Sequence, residues 1–362
     1  MGEHISSQGR RALLVLALVL GVAIVAVKPL TAAPRTSFSV TKLVSDQPGV
    51  ALNTDPNLVN AWGLTSGPTT PWWVSDNGTD VSTLYRGSDG APFPTASPLV
   101  VGVDSAPTGT VFNSTTGFGL PTGGNALFLF ATENGGILGW NFAQGTTAFL
   151  AKDRSDLGAV YKGLAIADTA AGPRLYATDF HNARVDVFDG SFDLVPDSGF
   201  VDPSIPSGYG PFGIQTIGDR VFVTYAKQDA DAHDDVAGQG LGFVDVYGTS
   251  GNLLGRVAQH GQLNSPWGLA LAPASFGPFA GDLLIGNFGD GQINVYAELG
   301  NGHFEHRAEL RNASGKALTI DGLWALQFGK GGNNGPAGTL FFTAGPDGEH
   351  HGLFGQINPN TN

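Results

Sequence analysis

Short apolar runs, separated by turns rich in Gly, Asn and Asp, follow one another from position 38 onward, with no sustained 3.6-residue apolar period. Polar and apolar residues alternate in many of them, as in Val185-Asp186-Val187-Phe188 and Ile293-Asn294-Val295-Tyr296. A period of two puts successive side chains on opposite faces of a strand, so the pattern predicts an all-β chain. One motif, a bulky residue then Gly then Leu or Ile, recurs as Trp62-Gly63-Leu64, Phe118-Gly119-Leu120, Lys162-Gly163-Leu164, Phe212-Gly213-Ile214 and Trp267-Gly268-Leu269. Trp324-Ala325-Leu326 is a degenerate sixth copy, and the central positions lie 56, 44, 50, 55 and 57 residues apart. Each copy leads into an apolar run, such as Trp72-Trp73-Val74 or Leu340-Phe341-Phe342, then a polar turn. An alternating strand follows, ending at Tyr85, Trp140, Phe188, Tyr247, Tyr296 or Ile357, and copies one to five add a variable fourth segment.

Four antiparallel strands at such a period form a β-propeller blade, and six copies predict a six-bladed β-propeller. The last copy stops after its third strand because the sequence ends at Asn362. Residues 38–44, Phe-Ser-Val-Thr-Lys-Leu-Val, precede the first copy and are the natural donor of the missing strand. Lending it to the last blade closes the ring and removes an open edge.

Leu175-Tyr176-Ala177-Thr178-Asp179-Phe180-His181-Asn182-Ala183-Arg184-Val185-Asp186-Val187-Phe188-Asp189 resembles an NHL repeat, and residues 285–296 are a looser copy. The chain after its N-terminal segment resembles a family of exported bacterial NHL-like propellers, to which no single activity attaches. The resemblance implies fold more than chemistry, since NHL-type propellers include scaffolds, lactonases and lyases. Lactonase-type propellers place a metal-binding Glu ahead of the first innermost strand; here Val59-Asn60-Ala61-Trp62-Gly63 offers Asn60 instead.

Composition narrows the classes. With 18 basic and 31 acidic side chains the net charge is −13, which argues against nucleic acid as partner, since neutralising phosphates takes a Lys/Arg face. The absence of Cys excludes disulfides, thiolate zinc sites and thiol catalysis. There is no Gly-x-Ser-x-Gly elbow, P-loop or dinucleotide fingerprint. Arg10-Arg11, the apolar run 12–27 and the small residues Thr31-Ala32-Ala33 have the layout of a secretory signal over residues 1–33, or of an uncleaved anchor. A single propeller domain over residues 34–362, extracytoplasmic and monomeric, is the expectation.

Strand direction reverses at each step of a blade, so the turns between second and third strands share one channel mouth with the starts of the innermost strands. Those turns carry Asp76-Asn77, Glu133-Asn134, Asp179 with His181 and Asn182, Asn287 with Asp290, and Asp347 with Glu349, His350 and His351. They also carry an insert, residues 229–240, that begins like a calcium loop but lacks its Gly and terminal Glu. Asp76, Glu133, Asp179 and Asn287 are the candidate oxygen ligands for a Ca²⁺ or Zn²⁺ ion, with His181 or His350 as candidate general base. The same residue types also serve simply to satisfy hairpin turns. Trp62, Trp267 and Trp324 either wedge between blades or offer a stacking surface to a ligand. Lys162 is the one cation in their series, placed to pair Glu133 or Asp179 or to hold an anionic ligand. Two readings follow: binding of a small molecule, glycan or protein at one mouth, or metal-dependent hydrolase or lyase chemistry there.

Overall fold

The computed structural model describes residues 36–300 and 302–360, besides Met1. The leader expected at residues 1–33 lies outside the described residues apart from Met1, and among them no helix is long and apolar enough to cross a membrane. Six antiparallel sheets form a six-bladed β-propeller. The innermost strands are Ala61–Thr65, Pro107–Phe112, Tyr161–Thr169, Tyr209–Ile217, Pro266–Leu271 and Leu323–Phe328. Phe38–Ser45 pairs antiparallel with Leu353–Pro359 from Phe38↔Pro359 to Ser45↔Leu353, so the chain's first strand completes its last blade. Asn53–Thr54 adds a short parallel edge outside it.

The Gly of the repeated motif is there because the innermost strands touch backbone to backbone. A Cβ on Gly63 would stand 2.3 Å from Thr108 O, one on Gly163 2.8 Å from Phe212 O, one on Gly213 2.1 Å from Trp267 O, and one on Gly268 2.5 Å from Trp324 O. Each contact joins one blade to the next. Hydroxyls reinforce these seams: Thr108 Oγ1 donates to Tyr161 O at 2.8 Å, Thr178 Oγ1 to Phe212 O at 2.7 Å, and Thr343 Oγ1 to Trp62 O.

Two details of the expected repeat are corrected. The second blade's copy is Thr108-Gly109-Thr110, with a Cβ on Gly109 falling 2.3 Å from Leu164 N. Phe118-Gly119-Leu120 lies instead in the loop between Pro107–Phe112 and Phe128–Thr132, where Phe118 packs on Phe192. A motif defined by a bulky first residue was drawn to the loop because the true copy has Thr on both sides of its Gly. The third blade has three strands, its fourth segment making only the bridge Phe188↔Leu194. Pro196, Pro203 and Pro206 withhold the amides that a fourth strand would need.

Gly213→Ala is expected to lower stability by about 2–4 kcal/mol, because the clashing atom is backbone and cannot turn aside. Gly102→Ala, whose Cβ would find only Thr146 O at 3.6 Å, is the control and should change little. Urea unfolding measures both; equal midpoints for the two variants would contradict the seam as described.

Candidate functional site at the channel mouth

The starts of the innermost strands surround a closed centre. Trp62 stacks on Trp324 with ring centroids 3.6 Å apart, Trp267 meets both edge-on at 6.5 and 5.8 Å, and Phe288 covers the other side of Trp324 at 4.0 Å. The three indoles are buried, so they plug the channel and offer no stacking surface at the mouth. Two of their N–H groups tie the plug to polar residues: Trp324 Nε1 donates to Asn60 Oδ1 at 3.2 Å and Trp267 Nε1 to Lys162 O at 3.0 Å.

Above the plug a charged network joins five of the six blades. Lys162, 1% exposed, donates from Nζ to Glu133 Oε1 and to Asp234 Oδ1 at 3.0 Å. Its ammonium also lies 5.1 Å from the Trp62 ring centroid, within range of the ring's negative face. Asn77 Nδ2 donates to Glu133 Oε2 at 3.0 Å. Asn60 Nδ2 donates to Asn77 Oδ1 at 3.1 Å and to Glu349 Oε2 at 2.7 Å. His233 Nδ1 stands 3.1 Å from Asp234 Oδ1. Asn60 is placed by a left-handed backbone, φ 48°, a conformation that Asn tolerates better than most side chains.

Ionisation follows from these neighbours. Burial alone would push the Lys162 ammonium down, but Glu133 and Asp234 outweigh it and hold the group above its ordinary range. Burial likewise opposes charge on Asp234, yet Lys162 and His233 keep its carboxyl below the usual range. Glu349 moves the other way: burial pushes it up, and Glu133 and Asp234 add to the rise against the pull of Asn60 and Lys162.

Asp234 comes from the 229–240 insert. Asp229 N–H donates to Asp234 O at 2.9 Å, and its carboxylate accepts the His233 N–H at 2.9 Å. The loop is therefore braced by its own first residue, and its tip reaches the channel. Beside it a cleft of about 420 Å³ opens over the second blade, lined by Asp104, Glu133, Asn134, Asp153 and His233 among others. Among the described residues no Lys or Arg lines this cleft. Bonds from the Ser155 side chain and amide hold the Asp153 carboxyl below its ordinary range, so it is ionised.

The other candidate residues lie elsewhere. Asp76 is buried in its blade, accepting Thr83 Oγ1 at 2.7 Å, and burial pushes its carboxyl well above the ordinary range. Asp179 accepts the Val160 and Asn182 N–H groups at 3.3 and 3.2 Å. Asn287 donates to Gln262 O at 2.8 Å and Asp290 Oδ1 at 3.1 Å. Of the four expected ion ligands Glu133 alone joins the Lys162 network; the other three end second strands, Asp179 and Asn287 bracing loops beside them and Asp76 bonded to Thr83 of the next strand. His181 is exposed on its turn, and His350, also exposed, has Nδ1 2.7 Å from Asp347 O. Neither belongs to the network. Among the described residues one group of three could hold a metal, Glu133, His233 and Asp234, whose donor atoms lie within 4.8 Å of one another. Both Glu133 oxygens and one Asp234 oxygen are already bonded to Asn77, Lys162 or His233, so the set reads as an ion-paired network before it reads as a metal shell. Sequence reasoning missed Asp234 as a partner of Lys162 and Glu349 as a partner of Asn60; the length and acidity of the insert were the available signal for the first.

These features define a six-bladed propeller with a plugged channel and an acidic mouth. No protein-family profile matches the chain. The uncharacterized protein R648 of Acanthamoeba polyphaga mimivirus is 31% identical over 338 residues, 89% of this chain and 80% of that protein. The chain belongs to the family of that viral protein. The relative is viral, and the bacterial, exported affiliation rests on the sequence resemblance alone. Among solved structures, a glucose dehydrogenase aligns with a TM-score of 0.52 at 11% identity, covering 90% of this chain and 100% of that one. A streptogramin B lyase aligns with a TM-score of 0.50 at 13% identity, covering 89% and 98%. At such identities the likeness is one of fold.

Lys162→Met strips Glu133 and Asp234 of their counter-charge and should cost about 2 kcal/mol, moderated because Asp234 is two-thirds exposed. Adding Glu133→Gln should recover part of that loss in urea unfolding; additive losses would mean the pair is not coupled. Glu349 has a folded pKa above its unfolded one, so its ionisation destabilises the fold as pH rises through the folded value. Glu349→Gln should therefore match the parent below about pH 4 and exceed it at neutral pH, as melting temperature across a pH series will show.

Proposed function

We propose that this protein is an exported, NHL-like ligand-binding propeller whose acidic mouth takes a small cationic ligand, an organic amine in the first instance. One observation carries the reading: Asp104, Glu133 and Asp153 line a cleft that has no Lys or Arg in its wall. Glu133 forms the inner wall and belongs to the Lys162 network, so a cation in the cleft meets a carboxylate held in place by Asn77 and Lys162. The chain's net charge of −13 draws cations toward it at low salt. Export rests on the apolar run 12–27 with its basic and small-residue flanks.

The second reading, metal-dependent hydrolase or lyase chemistry, is favoured by Glu133, His233 and Asp234 standing together. It needs the Lys162 bonds to be exchanged for an ion, Ca²⁺ by the carboxylates or Zn²⁺ by the imidazole.

Titration calorimetry of residues 34–362 with putrescine, choline, Ca²⁺ and Zn²⁺ separates the two, together with metal content by elemental mass spectrometry before and after chelation. One-to-one amine binding that weakens tenfold or more in Asp104→Asn/Asp153→Asn supports the first reading. Near-stoichiometric metal, with a melting temperature that falls on chelation, supports the second. Binding of neither class at millimolar concentration overturns both.

A further inference from the structure

The opposite mouth of the channel is chemically unlike the first. There the ends of the innermost strands, among them Thr65, Phe112, Ile166, Ile217, Leu271 and Phe328, frame a bowl of about 520 Å³, an ordinary volume for a small-molecule site. Its wall is mostly aliphatic and aromatic, and Lys330 at the rim is its one charged residue. The Lys330 stem is exposed, while Nζ folds back to donate to the Ser66 carbonyl. Among the described residues no carboxylate makes an ion pair with it, and burial of the amino group lowers its pKa, which a bound anion would reverse. Ser66 and Thr216 also line it, but their hydroxyl oxygens are buried behind the surface, with no hydrogen-bond partner among the described residues. In a chain of net charge −13, a mouth with one cation and no carboxylate selects for negative charge. Between bowl and plug only about 20 Å³ remains open, lined by Gly63, Gly109 and Trp267 among others, so the two mouths do not communicate.

We propose that this bowl is a second binding site, for an amphipathic monocarboxylate whose hydrocarbon lies against Phe112, Ile166, Leu269 and Phe328 and whose carboxylate pairs with Lys330. The apolar wall sets the requirement for a chain, and the lone ammonium sets the sign of its head group. The proposal is independent of the amine reading, which concerns the other end of the channel.

Octanoate, octylammonium and acetate are titrated into residues 34–362 by calorimetry. Octanoate should bind one-to-one, with octylammonium and acetate at least tenfold weaker. Lys330→Met should weaken octanoate tenfold or more while remaining folded by circular dichroism, and Lys330→Arg should restore most of it. Lys316→Met, at an exposed lysine outside the bowl, should leave octanoate binding unchanged. Equal affinity for octanoate and octylammonium, indifference to Lys330→Met, or no octanoate binding below its micellar range would each overturn the proposal.

Discussion

Everything in this protein depends on how closely six innermost strands approach one another. Backbone meets backbone at Gly63, Gly109, Gly163, Gly213 and Gly268, where a single added carbon would come within 2.1–2.8 Å of a neighbouring main-chain atom. That closeness leaves a core too narrow for a through-channel, and the residue preceding the Gly decides what fills it. In three of the six copies it is Trp, and their indoles fill the centre. In the third it is Lys162, whose carbonyl anchors Trp267 while its side chain rises into the mouth. Structural plug and charged network are thus consecutive layers of one strand position.

The network shows how a buried ammonium is tolerated. Two carboxylates and the face of Trp62 replace the water that Lys162 loses, and Asn60 and Asn77 take up further oxygens. Neighbouring carboxyls then differ in their readiness to ionise: Asp234 is favoured by Lys162, whereas Glu349 suffers burial and like charge. Such divergence between adjacent acids is a general route to having a proton donor and an acceptor at one site.

Fold was more legible than site, for a physical reason. Strand alternation and the Gly motif are local signals, and the unpaired last blade pointed directly to residues 38–44, which the structure extends to Phe38–Ser45. The second copy was misplaced because Thr108-Gly109-Thr110 keeps the essential Gly while losing the bulky neighbour that made the other copies visible. The sequence left Lys162 a choice of Glu133, Asp179 or an anionic ligand, and the structure gives it Glu133. The network's completion by Asp234 and Glu349 was not legible, since it depends on how far an insert of the fourth blade and a turn of the sixth reach across the ring. Asp76, Asp179 and Asn287 carry the right chemistry at the right ends of their strands, yet their side chains are buried against protein groups, Thr83, Val160 and Gln262. The opposite bowl left a single polar mark at its rim, Lys330, which no spacing rule distinguishes from other surface lysines.

The pairing of Phe38–Ser45 with Leu353–Pro359, continued by the Asn360 N–H to Ser37 O bond at 2.8 Å, joins the earliest strand to be synthesised with the latest. Throughout translation the early strand has no partner, and blades formed in between can stack only into an open arc. The ring becomes a ring only after the ribosome has delivered Leu353–Pro359. Completion is therefore read across the whole propeller: a message cut short before that strand yields an arc with two exposed ends.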